Sequence, residues 1–315
     1  MDSISADRSQ TVTDALALAV ELGHRGLVPG AGATRELWAA LSSVAANDLA
    51  AARALEPHLD AVAILRQAGA AELLGDSTWG VFAAEGGEDP LRWADGRLTG
   101  TKPWCSLADR LDFALVSAHV GEQRGLFAVD LKDPGVRVIP GTWAARGLTE
   151  VPSGPVSFTA VPAIPVGTPG WYLSRPGFEW GGIGVAACWF GGAVGIGRTV
   201  FAALRERPDP HGLAHLGAID ELLETDRRAL DEAARLVDDG GAGRVLTKRV
   251  RATVARSVDE IIARAGRALG PAPLALDAEH AKRVADLQLY VRQHHAERDE
   301  ESLGATILRA EAAPW

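Results

Sequence analysis

Short β-rich runs occupy the middle of this sequence, and helical periodicity fills the chain on both sides of them. Between residues 78 and 166 the runs WGVFAAE, DFALVSA, LFAVDL, VRVIP and VSFTAVP alternate with clusters of Gly, Pro and Asp, which is typical of strands joined by turns. Apolar residues recur at helical spacing over residues 11–70 and again after residue 171. A chain whose period changes twice fits neither a single sheet nor a single bundle.

This order of elements predicts an α+β fold with three domains. We expect an N-terminal helical domain over residues 1–76 and a middle antiparallel β domain over residues 77–170. Amphipathic segments after residue 171 predict a C-terminal four-helix bundle over residues 171–315. The chain has 315 residues, which is long enough to bury the cores of several domains.

The charge balance excludes a nucleic-acid partner. The formal net charge is −9, and phosphate binding needs Lys and Arg clustered on one face. The densest basic stretch is Lys248–Arg251 with Arg256, and its spacing predicts a solvated helix face.

Neither cysteine predicts a metal site or a disulfide. Cys105 and Cys188 stand far apart in apolar surroundings, so we expect no metal and two reduced thiols. The segment Met1–Gln10 is polar and acidic, unlike a secretory signal. We therefore expect a cytoplasmic protein.

One segment has the length of a membrane span. Trp180–Gly197 carries no charge over 18 residues, but seven of these residues are glycine and Arg198 follows at once. Glycine contributes little hydrophobic driving force. We expect a buried helix in close contact with its neighbours rather than a span.

The middle region carries the most specific motif. GRLTGTKPWCSLADRLDFALVSA, residues 96–118, resembles the middle-domain signature of the acyl-CoA dehydrogenase superfamily, and the order of domains is similar to that superfamily as well. The resemblance implies that Trp104 lies against a flavin and that the Ser106 hydroxyl bonds the flavin near its reactive nitrogen. A redox ring needs such an apolar wall and a few fixed hydrogen bonds. From the residues alone, a packed Trp and a solvated Ser in a turn are the alternative.

A second motif lies upstream. WGVFAAE, residues 79–85, is similar to the superfamily's strand that ends in Thr-Glu-Pro, and this implies flavin contacts at Phe82 and Ala84. Here Ala84 replaces the Thr and Gly86 replaces the Pro. Backbone contacts survive that change, but one side-chain hydrogen bond to the flavin does not.

The chain is a short and divergent example of this pattern. The superfamily's Arg-x-x-Phe-Gly motif, whose Arg reaches the flavin phosphates of a neighbouring subunit, is not readable in RERPDPHGLAHLG. The N-terminal domain is also short for the superfamily. Both departures weaken the implied flavin and acyl-CoA contacts.

The catalytic carboxylate of the superfamily is missing. An acyl thioester dehydrogenase needs a base for the α proton, and the superfamily keeps a glutamate in one of two places. Laid without gaps on the terminal segment, the superfamily pattern pairs Gly270 with its first glycine, Asp286 with its Asp and His294 with the glutamate. The other place falls near Val185, with Glu179 about six residues too early.

A histidine at this position is similar to the oxygenase branch of the superfamily. There a neutral imidazole with an ordinary pKa near 6.5 can donate a hydrogen bond or take a proton. We therefore predict His294 as the catalytic residue. The alternative is that His294 and His295 only place favourable charge at the end of a helix.

Three functions follow from these observations. The first is an FAD-dependent oxidoreductase acting on a CH–CH group of an acyl thioester, favoured by the extent of the resemblance. The second is a two-component flavin monooxygenase, favoured by His294 and using reduced FMN or FAD that a reductase supplies. The third is a flavin-poor partner subunit of a heteromeric complex, favoured by Ala84 and the lost Arg motif.

The expected partners follow from the same resemblance. We expect a small-molecule substrate, an acyl thioester under the first function, and a homo-oligomer or a complex with a related subunit. We expect no membrane and no nucleic acid.

Overall fold

A computed structural model of the protein describes residues 2–87 and 89–315, with the side chains of residues 2–10 outside the description. Contacts divide the chain into two compact units. The first contains the residues up to Val28, Arg53–Ala145 and Thr149–Phe178, and the second contains Pro29–Ala52, Arg146–Leu148 and Glu179–Trp315. The division into three domains at 1–76, 77–170 and 171–315 follows element type rather than contacts, and it stays a prediction.

The first unit combines helices with a sheet. Its helices are α1 (Asp2–His24), α3 (Leu49–Gln67, of which residues from 53 onward belong here), a 3-10 turn (Ala71–Leu73) and α4 (Trp171–Ser174). Its strands are β1 (Trp79–Phe82), β2 (Arg92–Ala94), β3 (Arg97–Lys102), β4 (Phe113–Val120), β5 (Gln123–Asp130), β6 (Val136–Val138), β7 (Val156–Pro162) and β8 (Ile164–Pro165).

The sheet is mixed, which corrects the prediction of a purely antiparallel β domain. Its order is β6-β7-β3-β2-β4-β5-β8, with β1 paired to β4. β1 and β2 both run parallel to β4, whereas the other pairs are antiparallel. β3 follows β2 along the chain and pairs antiparallel on its outer side, so the chain reverses at each end of β3 and enters β4 in the direction of β2. Turn residues mark the reversals in the sequence, but they do not say which strands become neighbours.

The core of the first unit forms where α3 packs on the sheet. Trp79 at the start of β1 is fully buried and stacks on Phe113 with ring centroids 5.0 Å apart. Its backbone N–H donates to Nδ1 of the buried His58 at 3.2 Å. Burial, with a smaller contribution from the charge of His24, lowers the pKa of His58 to about 4. His58 is therefore a neutral structural residue that ties α3 to β1.

The second unit is helical and confirms the predicted bundle. Its helices are α2 (Thr34–Asn47), α5 (Pro176–Glu206), α6 (Pro210–Asp238), α7 (Arg244–Leu269), α8 (Ala272–Leu276), α9 (Ala278–Tyr290), a 3-10 turn (Val291–Gln293) and α10 (Glu297–Ile307). The long helices α5, α6, α7 and α9 correspond to the four amphipathic segments of the sequence. With the mixed sheet, they confirm the predicted α+β class.

Helix α5 contains the glycine-rich segment. By length and composition it is the one described helix that passes as a candidate membrane span, with a mean hydropathy of 1.4, and 61% of the apolar window is buried. A Cβ atom at Gly191 would lie 2.3 Å from the Ser42 carbonyl oxygen, and one at Gly195 would lie 2.7 Å from that of Ala46. Only glycine allows this approach of α2 to α5, so the predicted close packing of this helix is confirmed.

Candidate functional site

The loop after β3 holds an exposed tryptophan in a strained backbone conformation. Trp104 has φ +60° and Leu107 has φ +57°, in the left-handed region that costs a non-glycine residue about 1–3 kcal/mol. The Trp104 side chain is 60% exposed. Two backbone bonds hold the loop, from Cys105 N to Gly154 O at 2.9 Å and from Leu107 N to Pro152 O at 3.0 Å. Such strain persists where the surroundings enforce it, and it marks this loop as a candidate site.

The neighbours of Trp104 leave its ring accessible. Trp143 contacts it edge to face, with ring centroids 6.3 Å apart and planes at 89°. The adjacent Cys105 is buried, and burial raises the pKa of its thiol to about 12. This thiol is therefore protonated and is no nucleophile. The loop offers an aromatic surface rather than a reactive sulfur.

Ser106 belongs to the same loop, called here the tryptophan loop (residues 103–112), and its hydroxyl lies in a polar network. The residue is only 6% exposed. Its Oγ accepts from Arg53 Nη2 at 3.0 Å and lies 2.7 Å from Ser153 Oγ. The alternative of a solvated serine in a turn is thus wrong, because this hydroxyl is buried and bonded.

An ion cluster joins the end of β1 to the end of β3. The Glu85 carboxylate lies 2.8 Å from Lys102 Nζ, 2.6 Å from Arg124 Nη2 and 3.3 Å from His119 Nε2. Burial opposes the charged carboxylate, but the Lys102 hydrogen bond and the charges of Lys102 and Arg124 outweigh it and lower the pKa of Glu85. The cluster therefore brings the segment containing Ala84 to the strand that leads into the tryptophan loop.

The two upstream residues with predicted flavin contacts differ in exposure. Phe82 is the last residue of β1 and its side chain is buried in the core, whereas Ala84 is partly exposed. A ligand at this strand end can contact Phe82 only through its backbone. The first unit thus holds four of the five predicted site residues, and His294 belongs to the second unit.

His294 occupies a buried position after the 3-10 turn that follows α9. The His294 side chain is 7% exposed. The backbone N–H of His294 donates to Val291 O at 2.9 Å. Burial lowers the pKa of His294, the Asp299 carboxylate 3.9 Å from Nε2 opposes this, and the Arg251 charge adds to it. The imidazole is therefore neutral near pH 7. The alternative of a favourable helix-end charge thus does not apply to His294, whereas the neighbouring His295 side chain is 58% exposed.

Arg251 anchors the backbone next to His294. Its guanidinium donates to Gly182 O at 2.7 Å and to Gln293 O at 2.9 Å, and it lies 4.7 Å from the ring centroid of Trp189. The prediction of a solvated basic face is therefore wrong at Arg251. The KRVR spacing describes one helix and carries no information on the carbonyl groups that a neighbouring turn presents.

The alternative base position that the resemblance implies in α5 offers no free carboxylate. Glu179, the nearest acidic residue in α5, is engaged by Arg244 at 2.9 Å. The residue at that alternative position itself is the partly buried, apolar Val185. Among the side chains of residues 11–87 and 89–315, no group of three or more His, Cys, Asp or Glu could hold a metal ion.

The second unit also contains a cavity of about 360 Å³ between α2, α5 and α6. Its walls are mainly apolar, with arginines and one acid among them, and none of the predicted site residues lines it: Arg35, Trp38, Ala39, Ser42, Ser43, Ala46, Phe190, Val194, Arg198, Arg227, Leu230, Asp231 and Ala234. Asp231 binds both Arg35 and Arg227 at 2.8 Å.

Solved structures share this fold. KijD3, in complex with FMN and dTDP-3-amino-2,3,6-trideoxy-4-keto-3-methyl-D-glucose, is 20% identical with a TM-score of 0.79, over 99% of this chain and 88% of that chain. Butyryl-CoA dehydrogenase from Megasphaera elsdenii is 16% identical with a TM-score of 0.76, over 98% and 99% of the two chains. TdsC from Paenibacillus sp. A11-2, with FMN and indole, is 17% identical with a TM-score of 0.76, over 90% and 85%.

These likenesses confirm the predicted fold across nearly the whole chain. No protein-family model matches the sequence, and no curated protein matches it.

Proposed function

We propose that this chain, which has the fold of the acyl-CoA dehydrogenases, is a flavin-dependent oxidoreductase acting on a small-molecule substrate. The observation that carries the proposal is the tryptophan loop, in which a strained backbone holds Trp104 exposed two residues before the buried Ser106. The complexes of KijD3 and TdsC with FMN support a flavin on this fold.

The residues of the tryptophan loop fit a flavin. An exposed indole supplies an apolar wall for a planar ring and excludes water from one side of it. Ser106 would hold the ring by one hydrogen bond, and the backbone at Phe82 and Ala84 would border it. When bound, a flavin supplies two-electron redox chemistry that no side chain can perform.

Among reactions of this class, the His294 environment favours a two-component monooxygenase. A buried imidazole with a lowered pKa is neutral at physiological pH, so it can donate or accept a proton at a ring nitrogen. Asp299 carries the nearest carboxylate and also accepts from His295 N at 3.1 Å. Under this function a reductase supplies reduced FMN or FAD, and the substrate presents sulfur, nitrogen or aromatic carbon.

The second candidate is an FAD-dependent oxidation of a CH–CH group in an acyl thioester. The fold match with butyryl-CoA dehydrogenase favours it, and His294 would then take the α proton in place of a carboxylate. Anaerobic addition of butyryl-CoA to the flavin-loaded protein distinguishes the two, because only the dehydrogenase reaction bleaches the flavin absorbance. A homo-oligomer and a cytoplasmic location stay predictions under either reaction.

Replacing Trp104 by Ala tests the flavin site. Stacking of a planar ring on an aromatic side chain contributes about 1–3 kcal/mol, so Trp104→Ala should weaken flavin binding by roughly tenfold to hundredfold. Titration of the purified protein with FMN and with FAD, followed by flavin fluorescence, measures the change in Kd.

Trp104→Phe is the matched control, since it keeps an aromatic face and should retain most of the affinity. If Trp104→Ala holds flavin as tightly as the parent, the flavin site lies elsewhere. If the parent binds neither flavin, the partner-subunit function replaces this proposal.

A further inference from the structure

Arg53 of α3 is the charged neighbour of the Ser106 hydroxyl. Its Nη2 donates to Ser106 Oγ at 3.0 Å, and its Nη1 lies 3.5 Å from a Glu56 carboxylate oxygen. Both charged side chains are largely buried, with 14% and 12% exposed. A guanidinium has only donors and keeps its proton in proteins. Ser106 Oγ is therefore the acceptor in this contact, whatever occupies its other sides.

Ser153 completes the network on the opposite side. Its Oγ lies 2.7 Å from Ser106 Oγ and also lies within donating distance, 3.1 Å, of Val151 O. A hydroxyl has one hydrogen and two lone pairs. Since Arg53 uses one lone pair of Ser106, the hydroxyl hydrogen and the second lone pair are left for Ser153 and for one further partner, such as a ligand.

Two arrangements of the hydroxyl hydrogens use every donor and acceptor position of Ser106. In the first, Ser153 donates to Ser106 and Ser106 donates to the ligand. In the second, the ligand donates to Ser106, Ser106 donates to Ser153 and Ser153 donates to Val151 O. The arrangements interconvert by rotation of two hydroxyl hydrogens about their C–O bonds, and neither serine gains or loses a proton.

We propose that Arg53 and Ser153 are positioning residues that let Ser106 serve a flavin ring nitrogen both before and after it is protonated by reduction. The inference rests on the proposed flavin function. A ring nitrogen without a proton would accept from Ser106 in the first arrangement, and a ring nitrogen with a proton would donate to Ser106 in the second. The buried guanidinium also favours the reduced ring, because reduction adds negative charge and a low dielectric strengthens the attraction.

The reduction potential of the bound flavin tests this role. Arg53→Gln keeps a donor and removes the charge, so we expect binding of reduced flavin to weaken about tenfold relative to oxidised flavin, equivalent to about 30 mV. Reductive titration of the flavin-loaded protein against a reference dye measures the potential. Arg53→Lys keeps the charge and should restore most of the parent value.

Arg66→Gln is the matched control on the same helix, since Arg66 donates to Gly23 O at 3.5 Å and has no hydrogen bond to Ser106 among the described residues. Its potential should equal that of the parent. Ser153→Ala provides a second test if the Arg53 variants do not fold. It leaves the Ser106 hydrogen without an acceptor in the second arrangement, so the potential should again fall.

The outcomes separate the two proposals. A parent that binds flavin, with unchanged potentials in Arg53→Gln and Ser153→Ala, overturns the positioning role and leaves the proposed function intact. A parent that binds no flavin overturns both.

Discussion

Replacing His294 by Ala should lower turnover by roughly two to four orders of magnitude, the usual contribution of a positioned acid or base. The resemblance of the sequence to the superfamily implies that His294 stands where a dehydrogenase keeps its glutamate. Its buried side chain is held neutral by desolvation. Single-turnover and steady-state rates of the flavin-loaded protein measure the loss. Circular dichroism and flavin titration should show that folding and flavin binding are nearly intact.

The pH dependence of turnover tests the same role of His294, and its direction follows from the lowered pKa. A histidine whose pKa is lowered is neutral over a wider range, so an activity that needs the neutral imidazole should fall only below the ordinary value of about 6.5. This acid limb should disappear in His294→Ala. A limb that survives in this variant belongs to another group.

Two further variants complete the test of His294. His295→Ala should behave like the parent, because that side chain is 58% exposed. His294→Glu returns the superfamily's carboxylate and should raise oxidation of butyryl-CoA if the acyl thioester reaction is the correct one. A monooxygenase should instead release hydrogen peroxide without product in both His294 variants. Equal activity in His294→Ala and the parent would remove His294 from the mechanism.

The sequence predicts whether a segment is a helix or a strand better than it predicts which elements pair or pack with that segment. The β-rich runs of the sequence locate β1 and the strands from β4 to β7, because side-chain alternation is a local property. The short strands β2 and β3 lie outside these runs. The parallel pairing of Trp79 with Phe113 depends on residues 34 positions apart, and no local pattern encodes it. For this reason five of the strands were predicted and the mixed sheet was not.

The candidate site, like the fold, was predicted only in part from the sequence. The motif around Trp104 indicates a strand end, yet its left-handed backbone is enforced by hydrogen bonds that the loop's N–H groups donate to the 152–154 segment. Arg53 reaches Ser106 across 53 positions, and its helix gives no signal that separates it from a surface arginine. Local motifs therefore located the tryptophan loop, whereas the charge beside it emerged only from the folded chain.

The sequence does indicate one buried carboxyl group, that of Asp226. It falls seven residues after Ile219 and four before Leu230, on the apolar stripe of α6. A carboxylate on such a stripe must be paired, or it must be protonated. In the folded chain it is fully buried, its Oδ1 accepts from Ser257 Oγ at 2.9 Å, and no described residue bonds its Oδ2.

Asp226 should make the second unit less stable as the pH rises. Burial raises the pKa of this carboxyl from 3.8 to about 7, the Ser257 hydrogen bond opposes the rise, and the charge of Glu221 adds to it. Between these two values the folded state binds more protons than the unfolded state. The free energy of unfolding therefore falls with pH, by about 4 kcal/mol over roughly three units, and levels off above about pH 7.

Asp226→Asn replaces the carboxyl by a neutral group of the same shape and should remove this loss. We expect the variant to match the parent near pH 4 and to exceed its free energy of unfolding by up to about 4 kcal/mol at pH 8. Urea unfolding at both pH values measures the difference, and taking variant minus parent cancels groups such as His58 that titrate in both proteins. Asp220→Asn is the control on the same helix, because that side chain is exposed and its carboxylate stays in water. A difference between Asp226→Asn and the parent that does not change with pH would mean that Asp226 is ionised in the fold, with a partner for Oδ2.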